Sequence, residues 1–349
     1  MFARVTTFTL EGLDPCPVVV EADLRAGLPA FTIVGLADRS VSEARERVRA
    51  AIQNSGLEFP MRRVTVNLAP AHLRKAGPGF DLAIACAILA ASGQLPATLL
   101  EGVAVVGELS LTGAVRPCRG VLAAALGARA AGMRGVLVAD ERVREAQVVD
   151  GLEVRGAATL TRLRSVLQAP PADPPAPLEA HVTERHPDAP DLGEVRGQAA
   201  AIAALTVAAA GGHNLLLVGP PGTGKTMLAR RMPSILPPLA PDEALEVTRI
   251  QSVAGLRTDD GIARVRPFRA PHHTISAAGL IGGGPGPSPG EATLAHESIR
   301  VCYPSGSGRH LRAHFFGSGR GCSRRSAAGR GLRGACGAAW LAGGRSVRR

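Results

Sequence analysis

Along the first 168 residues, short apolar runs alternate with stretches of helical period. Val18–Val20, Phe31–Val34, Val64–Leu68, Val103–Val106 and Val136–Val138 are rich in β-branched residues, which predicts strands. In "SVSEARERVRAAIQNSG", Val41, Ala44, Val48, Ala51 and Ile52 recur on one face, which predicts an amphipathic helix. Ser40 and Glu43 stand at capping-box spacing, and Gly56 can supply a left-handed terminus. Arg45, Arg47 and Arg49 read as the solvated face of that helix. Strands alternating with helices argue for an α/β or α+β domain over residues 1–168.

The pattern stops at residues 169–190. Seven prolines lie between Pro170 and Pro190 among small and charged residues, a composition that builds no core and stays extended as a linker. Beyond it, "DLGEVRGQAAAIAALTVAAAGGHNLLLVGPPGTGKTMLARRM" predicts an Ala-rich helix stopped by Gly211–Gly212, a buried strand Leu215–Val218, a glycine loop, and a second helix from about Gly224. That order opens a nucleotide-binding domain, assigned to residues 191–296. No internal repeat is evident.

Composition changes this picture mainly at the C-terminal end. The chain has 349 residues, 46% of them apolar, which is room for two or three packed domains. Its formal charge of +11 is not spread evenly. Residues 298–349 hold 11 Arg and 11 Gly with no Lys, Asp or Glu, leaving 29 basic residues against 29 acidic ones elsewhere. Residues 297–349 are therefore expected to be an Arg/Gly-rich tail without a fixed structure. The six cysteines form no C-x-x-C pair and no His lies at zinc-finger spacing, so neither a disulfide framework nor a zinc site is indicated. The N-terminus lacks an apolar signal core, and the longest apolar run, near Leu82–Ala91, is too short to span a bilayer. A soluble, cytoplasmic protein with no membrane partner is expected.

The candidate chemistry sits in "GPPGTGKT", Gly219, Pro220, Pro221, Gly222, Thr223, Gly224, Lys225 and Thr226, which matches G-x-x-x-x-G-K-[ST]. Backbone N–H groups of such a loop converge on phosphate oxygens, and its glycines allow the close approach. Lys225 is placed to neutralise the β and γ phosphates of ATP, and the Thr226 hydroxyl to ligate the accompanying Mg²⁺. The chain has two lysines, Lys75 and Lys225, against 38 arginines, so a lysine here supports a site that needs a compact ammonium. Phosphoryl transfer also needs an acidic strand end to hold the metal. Asp242–Glu243, Glu246 and Asp259–Asp260 follow no run of four apolar residues and read as helix or loop charges. No side chain is assigned a catalytic role.

The chain resembles the YifB/ComM family of magnesium-chelatase-like AAA+ ATPases from Met1 to about His296. The resemblance is carried by "GLPAFTIVGLADRSVSEARERVRAAIQNSG", "RVTVNLAPAHLRKAGPGFDLAIACAILAASGQLP", "DLGEVRGQ", "GHNLLLVGPPGTGKTMLARR" and "FRAPHHTISAAGLIGGG". It implies an N-terminal α+β domain similar to the Lon protease and ribosomal-S5 fold, followed by a partial P-loop AAA+ domain of the kind that assembles as a homo-hexamer. It also implies a DNA motor, a helicase driving branch migration in recombination and competence, and it places the adenine near Val195, Gly197 and Gln198. A non-motor ATP-binding scaffold and a chelatase-type accessory subunit are the alternatives. A Lon-type serine protease is disfavoured, because the Ser and Lys of that dyad correspond to Gly79 and Leu122. His272–His273 is a weak metal candidate, since adjacent residues of an extended segment point to opposite sides.

The resemblance ends abruptly. In the family, "PGE-x-x-LAH" leads into a strand closed by Asp-Glu, whereas here "PGEATLAH" is followed by "ESIRVCYPSGSGR". The tail has the composition of GC-rich DNA read out of frame, and a frameshift at about codon 297 is expected; a genuine basic nucleic-acid-binding tail is the alternative. The expectation is a chain that binds ATP and is deficient in its hydrolysis.

Overall fold

A computed structural model describes residues 1–35, 38–75, 77–170, 190–220, 222–256, 261–272, 275–283, 288–296, 298–302 and 310–316. Most of the expected linker, Pro221, His273, Asp259–Asp260 and the tail beyond 316 lie outside the described residues.

The N-terminal region is a mixed α/β assembly. In chain order it comprises β1 (Phe2–Glu11), β2 (Asp14–Arg25), β3 (Ala30–Val34), α1 (Arg39–Asn54), β4 (Arg63–Ala69), α2 (Asp81–Ala91), β5 (Val103–Val105), β6 (Glu108–Leu109) and β7 (Val115–Arg116). It continues with α3 (Val121–Ala130), β8 (Gly135–Ala139), α4 (Val143–Ala146), β9 (Glu153–Ala157) and α5 (Leu163–Gln168). Seven strands form one sheet in the order β3-β4-β2-β1-β5-β8-β9, with β1 and β2 paired antiparallel from Phe2↔Asp23 to Glu11↔Asp14 and β1, β5, β8 and β9 parallel.

All five expected strands lie in this sheet. The sheet also contains β1, whose inward positions include the polar but buried Thr7 and Thr9, and β9, where Glu153 and Arg155 pair at 2.7 Å. Helix α1 buries Val41, Ala44, Val48, Ala51 and Ile52 completely, as its period predicts. Its N-cap is Asp38, two residues before Ser40; the Asp38 carboxylate accepts the Val41 N–H at 2.9 Å. The arginine face is not simply solvated. Arg47 reaches the fully buried Asp81 at the start of α2, and Arg49 stands 5.6 Å over the Phe59 ring. Helix α2 is apolar on every side because it is covered on every side: each of its residues except Ala90 is buried.

The second region runs α6 (Ala199–Gly211), β10 (Leu215–Val218), α7 (Lys225–Arg231), α8 (Pro241–Ala254), β11 (Phe268–Arg269), α9 (Ala277–Ile281), β12 (Gly282–Gly283), β13 (Ser288–Pro289), α10 (Glu291–Leu294), β14 (Ser298–Cys302) and β15 (His310–Phe316). Leu192, Leu205, Leu228 and Met232 centre its core. Strand β10 was expected to be buried, yet Leu216 and Val218 are exposed, while Leu215 and Leu217 pack on that core. Among the described residues, one face of the strand is covered.

Two segments of the tail are extended: β14 and β15 join a four-stranded sheet in the order β10-β15-β14-β11. β14 runs parallel to β11 with Phe268↔Ile299, and β15 lies antiparallel to β10 with Leu215↔Ala313. Helix α8 packs on the N-terminal region. Leu245 joins the cluster around Phe8 and Val121, the Ser252 carbonyl accepts the Gly120 N–H at 3.2 Å, and the Ser252 hydroxyl donates to the buried Glu145 carboxylate.

Candidate functional site

Strand β10 delivers the chain into Gly219–Thr226, and α7 receives it at Lys225. Gly222 (φ +83°) and Gly224 (φ +78°) are left-handed, a conformation that costs any side-chain-bearing residue about 1–2 kcal/mol. A Cβ at Gly224 would also stand 3.2 Å from Gln198 Nε2, so the loop turns where glycine alone fits without strain. The Lys225 ammonium folds back over the loop and donates to the carbonyls of Gly219 at 2.9 Å and Pro220 at 2.7 Å. The Thr223 hydroxyl donates to the Pro220 carbonyl at 2.9 Å, fixing the loop from inside. Thr226 is the second residue of α7.

The segment Asp191–Gln198 closes the site from the other side. Its Leu192–Glu194 turn is capped by Asp191, whose side chain accepts the Gly193 N–H at 2.9 Å. Gly197 (φ +72°) and Gln198 (φ +56°) then turn the chain over the loop, and Gln198 is the one non-glycine residue with positive φ among the described residues. Its Nε2 donates to the Thr223 carbonyl at 3.2 Å. Between this segment and the loop lies a cavity of about 600 Å³, walled by Val195 and Gln198 on one side, Gly222, Thr223 and Gly224 on the other, and Met227 and Arg231 of α7. The structure thus brings six of the eleven sequence-predicted positions to one cavity or its rim contact with Lys225. Gly197 shapes the turn beside it, and Pro221 lies outside the described residues.

These residues fit Mg·ATP. The cavity has the size of a small-molecule site, with apolar Val195 and Met227 on its wall for a base, loop residues Gly222–Gly224 for phosphate, and the Lys225 ammonium 3.4 Å from Thr223 at its rim. Magnesium usually arrives with phosphates and waters and needs one or two protein oxygens, which the Thr226 hydroxyl can begin to supply. Among the described residues no group of three His, Cys, Asp or Glu could hold a metal by itself. A larger cavity, about 700 Å³, lies away from the loop between Phe8, Pro15, Leu126 and α8. It is mainly apolar and offers no comparable array of loop amides.

Two of the candidate acids, Glu243 and Glu246, have neighbours of their own. Glu243 accepts from Arg266 at 2.7 Å and from the Ala240 N–H at 3.0 Å, and Glu246 stands 3.0 Å from His296. β14 occupies the sheet next to β11, and neither it nor any residue from 298 to 349 supplies an acid. In the N-terminal region, Leu122 is fully buried. The α-carbon of Gly79 faces Cys118, whose Sγ would lie 3.6 Å from an added Cβ. Burial above all, then the nearby Glu145, pushes the Cys118 thiol up to about 12, so it is no nucleophile at neutral pH.

A family profile described as "Magnesium chelatase, subunit ChlI" matches residues 191–301, and one described as "Subunit ChlI of Mg-chelatase" matches residues 20–142. YifB of Salmonella typhimurium is 46% identical over 297 residues, covering 85% of this chain and 58% of that protein. The competence protein ComM of Haemophilus influenzae is 43% identical over 291 residues, covering 82% and 57%. The chain belongs to the YifB/ComM family. It spans about three fifths of the length of these relatives. A Lon protease of Chloroflexus aurantiacus is 31% identical over 129 residues, covering 35% of this chain and 15% of that protein. No helix among the described residues is long and apolar enough to cross a membrane.

Sequence reasoning missed Arg231, Glu194 and Met227 as residues of the site. Arg231 looked like one more cation in "LARR", and what distinguishes it is its reach, which spacing along a helix does not reveal. It donates to the Asp191 carbonyl and to Glu194, both at 3.0 Å.

Proposed function

We propose that the chain binds Mg·ATP at Gly219–Thr226 without appreciable turnover, as a partial AAA+ domain joined to an N-terminal domain of the Lon/S5 type. The observation that carries this reading is the Lys225 ammonium lying across the carbonyls of its own loop, opposite the Val195–Gln198 wall. Phosphate oxygens would take its hydrogen bonds in exchange for those carbonyls. When bound, the magnesium ion would offset phosphate charge, with Thr226 among its ligands.

The deficiency in hydrolysis is inferred from the chain's own carboxylates. Glu243 is held by Arg266, Glu246 stands beside His296, and residues 298–349 add no acid to the sheet that carries the loop. Phosphoryl transfer without an acid to hold the metal and orient water is expected to be slow. The similarity to the competence protein ComM supports a family role in competence and recombination; DNA as partner and a homo-hexamer as the assembly of complete members are part of the same proposal.

Titration calorimetry tests the reading. Magnesium-dependent ATP binding that disappears in Lys225→Ala is the expected result, together with negligible phosphate release. Equal affinity of the two proteins would overturn the site, and turnover within about tenfold of a complete relative would overturn the deficiency.

A further inference from the structure

The nucleotide reading assigns the loop and the opposite wall but leaves open what holds that wall in place. The segment Asp191–Gln198 contains one short turn and is held by contacts to its neighbours. Those contacts converge on α7 and the residues around it. Arg231 Nε donates to the Asp191 carbonyl at 3.0 Å, Nη2 to Glu194 Oε2 at 3.0 Å, and Nη1 to the Met227 carbonyl on its own helix at 3.4 Å. The Ser234 hydroxyl accepts the Leu192 N–H at 3.3 Å, and Leu192 itself is buried with Leu228 and Met232.

We propose that Arg231 is the positioning residue that fastens the base-side wall to the phosphate-loop helix, and so sets the preference for a nucleoside triphosphate over a bare triphosphate. The proposal rests on the nucleotide reading above and deepens it. A guanidinium donates from three nitrogens in a fixed plane, so one side chain spans wall and helix together; an ammonium on a flexible stem cannot hold the same three acceptors. The Arg231 side chain is 16% exposed and Glu194 is 61% exposed, so the ion pair is screened; the bond to the Asp191 carbonyl, also exposed, goes to the backbone of the wall and needs no second flexible side chain to be held. Loss of this brace frees Val195 and Gln198 to shift from the base position while Lys225 and the loop glycines keep the phosphate end. The two halves of the ligand should therefore respond differently.

The test compares Mg·ATP with magnesium tripolyphosphate by calorimetry on the full chain. Arg231→Ala is expected to weaken ATP by about tenfold or more and tripolyphosphate by less than about twofold, from the loss of its charge-assisted bonds to the wall. Arg231→Lys should fail to restore ATP affinity. Glu194→Ala should cost about threefold or less, as expected of an exposed pair. Lys225→Ala should weaken both ligands. An ATP affinity for Arg231→Ala within about twofold of wild type, or equal loss of both ligands, overturns the proposal while leaving the nucleotide reading intact. A wild-type chain that binds neither ligand overturns both. Should Arg231→Ala fail to fold, Ser234→Ala removes a second tie of the same wall without touching charge; selective loss of ATP supports the proposal and equal loss overturns it.

Discussion

Arg47 and Asp81 form a two-pronged ion pair across the α1–α2 contact, with Nε to Oδ2 at 2.8 Å and Nη2 to Oδ1 at 3.0 Å. The Asp81 side chain is completely buried and also accepts the Leu109 N–H at 3.4 Å. Arg47→Ala would leave that carboxylate without its countercharge and is expected to lower stability by about 3 kcal/mol, read from urea midpoints at neutral pH. Desolvation holds the Asp81 carboxyl above its ordinary 3.8, against the opposing pull of Arg47. The folded chain therefore keeps this proton longer than the unfolded one does. The associated stability is fully present below about 3.8 and is lost as pH rises through the folded value. Measured against Asp81→Asn, which cannot titrate, wild type should lose ground as pH rises above about 4; a gain over that interval would contradict the assignment.

The Ser252 hydroxyl and the Glu145 carboxylate tie α8 to the N-terminal region. Glu145 is 3% exposed and also accepts from the Leu122 N–H at 3.1 Å and from Arg142 at 3.0 Å. Removing the carboxylate strands three donors at once, so Glu145→Ala is expected to cost about 3 kcal/mol, whereas Ser252→Ala should cost about 1 kcal/mol. A double-mutant cycle should return a coupling of about 1 kcal/mol. Strict additivity would mean that the two regions are not joined through this pair.

Gly222 and Gly224 have the same left-handed backbone but different surroundings. A Cβ at Gly222 meets nothing within 4 Å, while one at Gly224 presses on the Gln198 amide at 3.2 Å. Gly222→Ala should cost about 1 kcal/mol through backbone strain alone. Gly224→Ala adds displacement of Gln198, so its ATP affinity should fall further than that of Gly222→Ala while the melting temperatures of the two stay close. The reverse order of affinities would show that the Gln198–Thr223 contact does not shape the site.

Much of this architecture is legible in the sequence because local chemistry and tertiary need coincide there. The apolar face of α1 is buried as its spacing requires, Gly212 ends α6 with φ +62°, and the glycine loop lies between β10 and α7. The misses have a common cause. Arg47, Arg231 and Glu145 act across 34, 37 and 107 residues of sequence, and no window along the chain reports such partners. β1 was hidden by inward threonines, and the exposure of Leu216 and Val218 depends on what covers the sheet, which a four-residue apolar run cannot express. Of the cavity, the glycine-loop side was readable from spacing, and the opposite wall only through resemblance to the family.

The resemblance to Lon-type domains sets Gly79 against their serine nucleophile, and its surroundings indicate whether a serine there would bring chemistry. Gly79 does not require glycine's freedom: its φ lies outside the left-handed region, and an added Cβ would meet the Cys118 sulfur at an ordinary 3.6 Å. Gly79→Ser should therefore fold with a melting temperature near that of wild type. It should nevertheless remain unreactive toward a fluorophosphonate probe, because Leu122, which the resemblance sets against the dyad lysine, is fully buried in an apolar cluster. Cys118 offers no substitute base or nucleophile at neutral pH, since its thiol ionises only near about 12, and it should resist iodoacetamide under mildly alkaline conditions until the chain is unfolded. Adding Leu122→Lys would place an unpaired ammonium in that cluster and is expected to cost several kcal/mol, so the double variant should unfold before it gains activity. Covalent labelling of the introduced hydroxyl in a folded Gly79→Ser variant would show instead that another side chain of this region can act as the base.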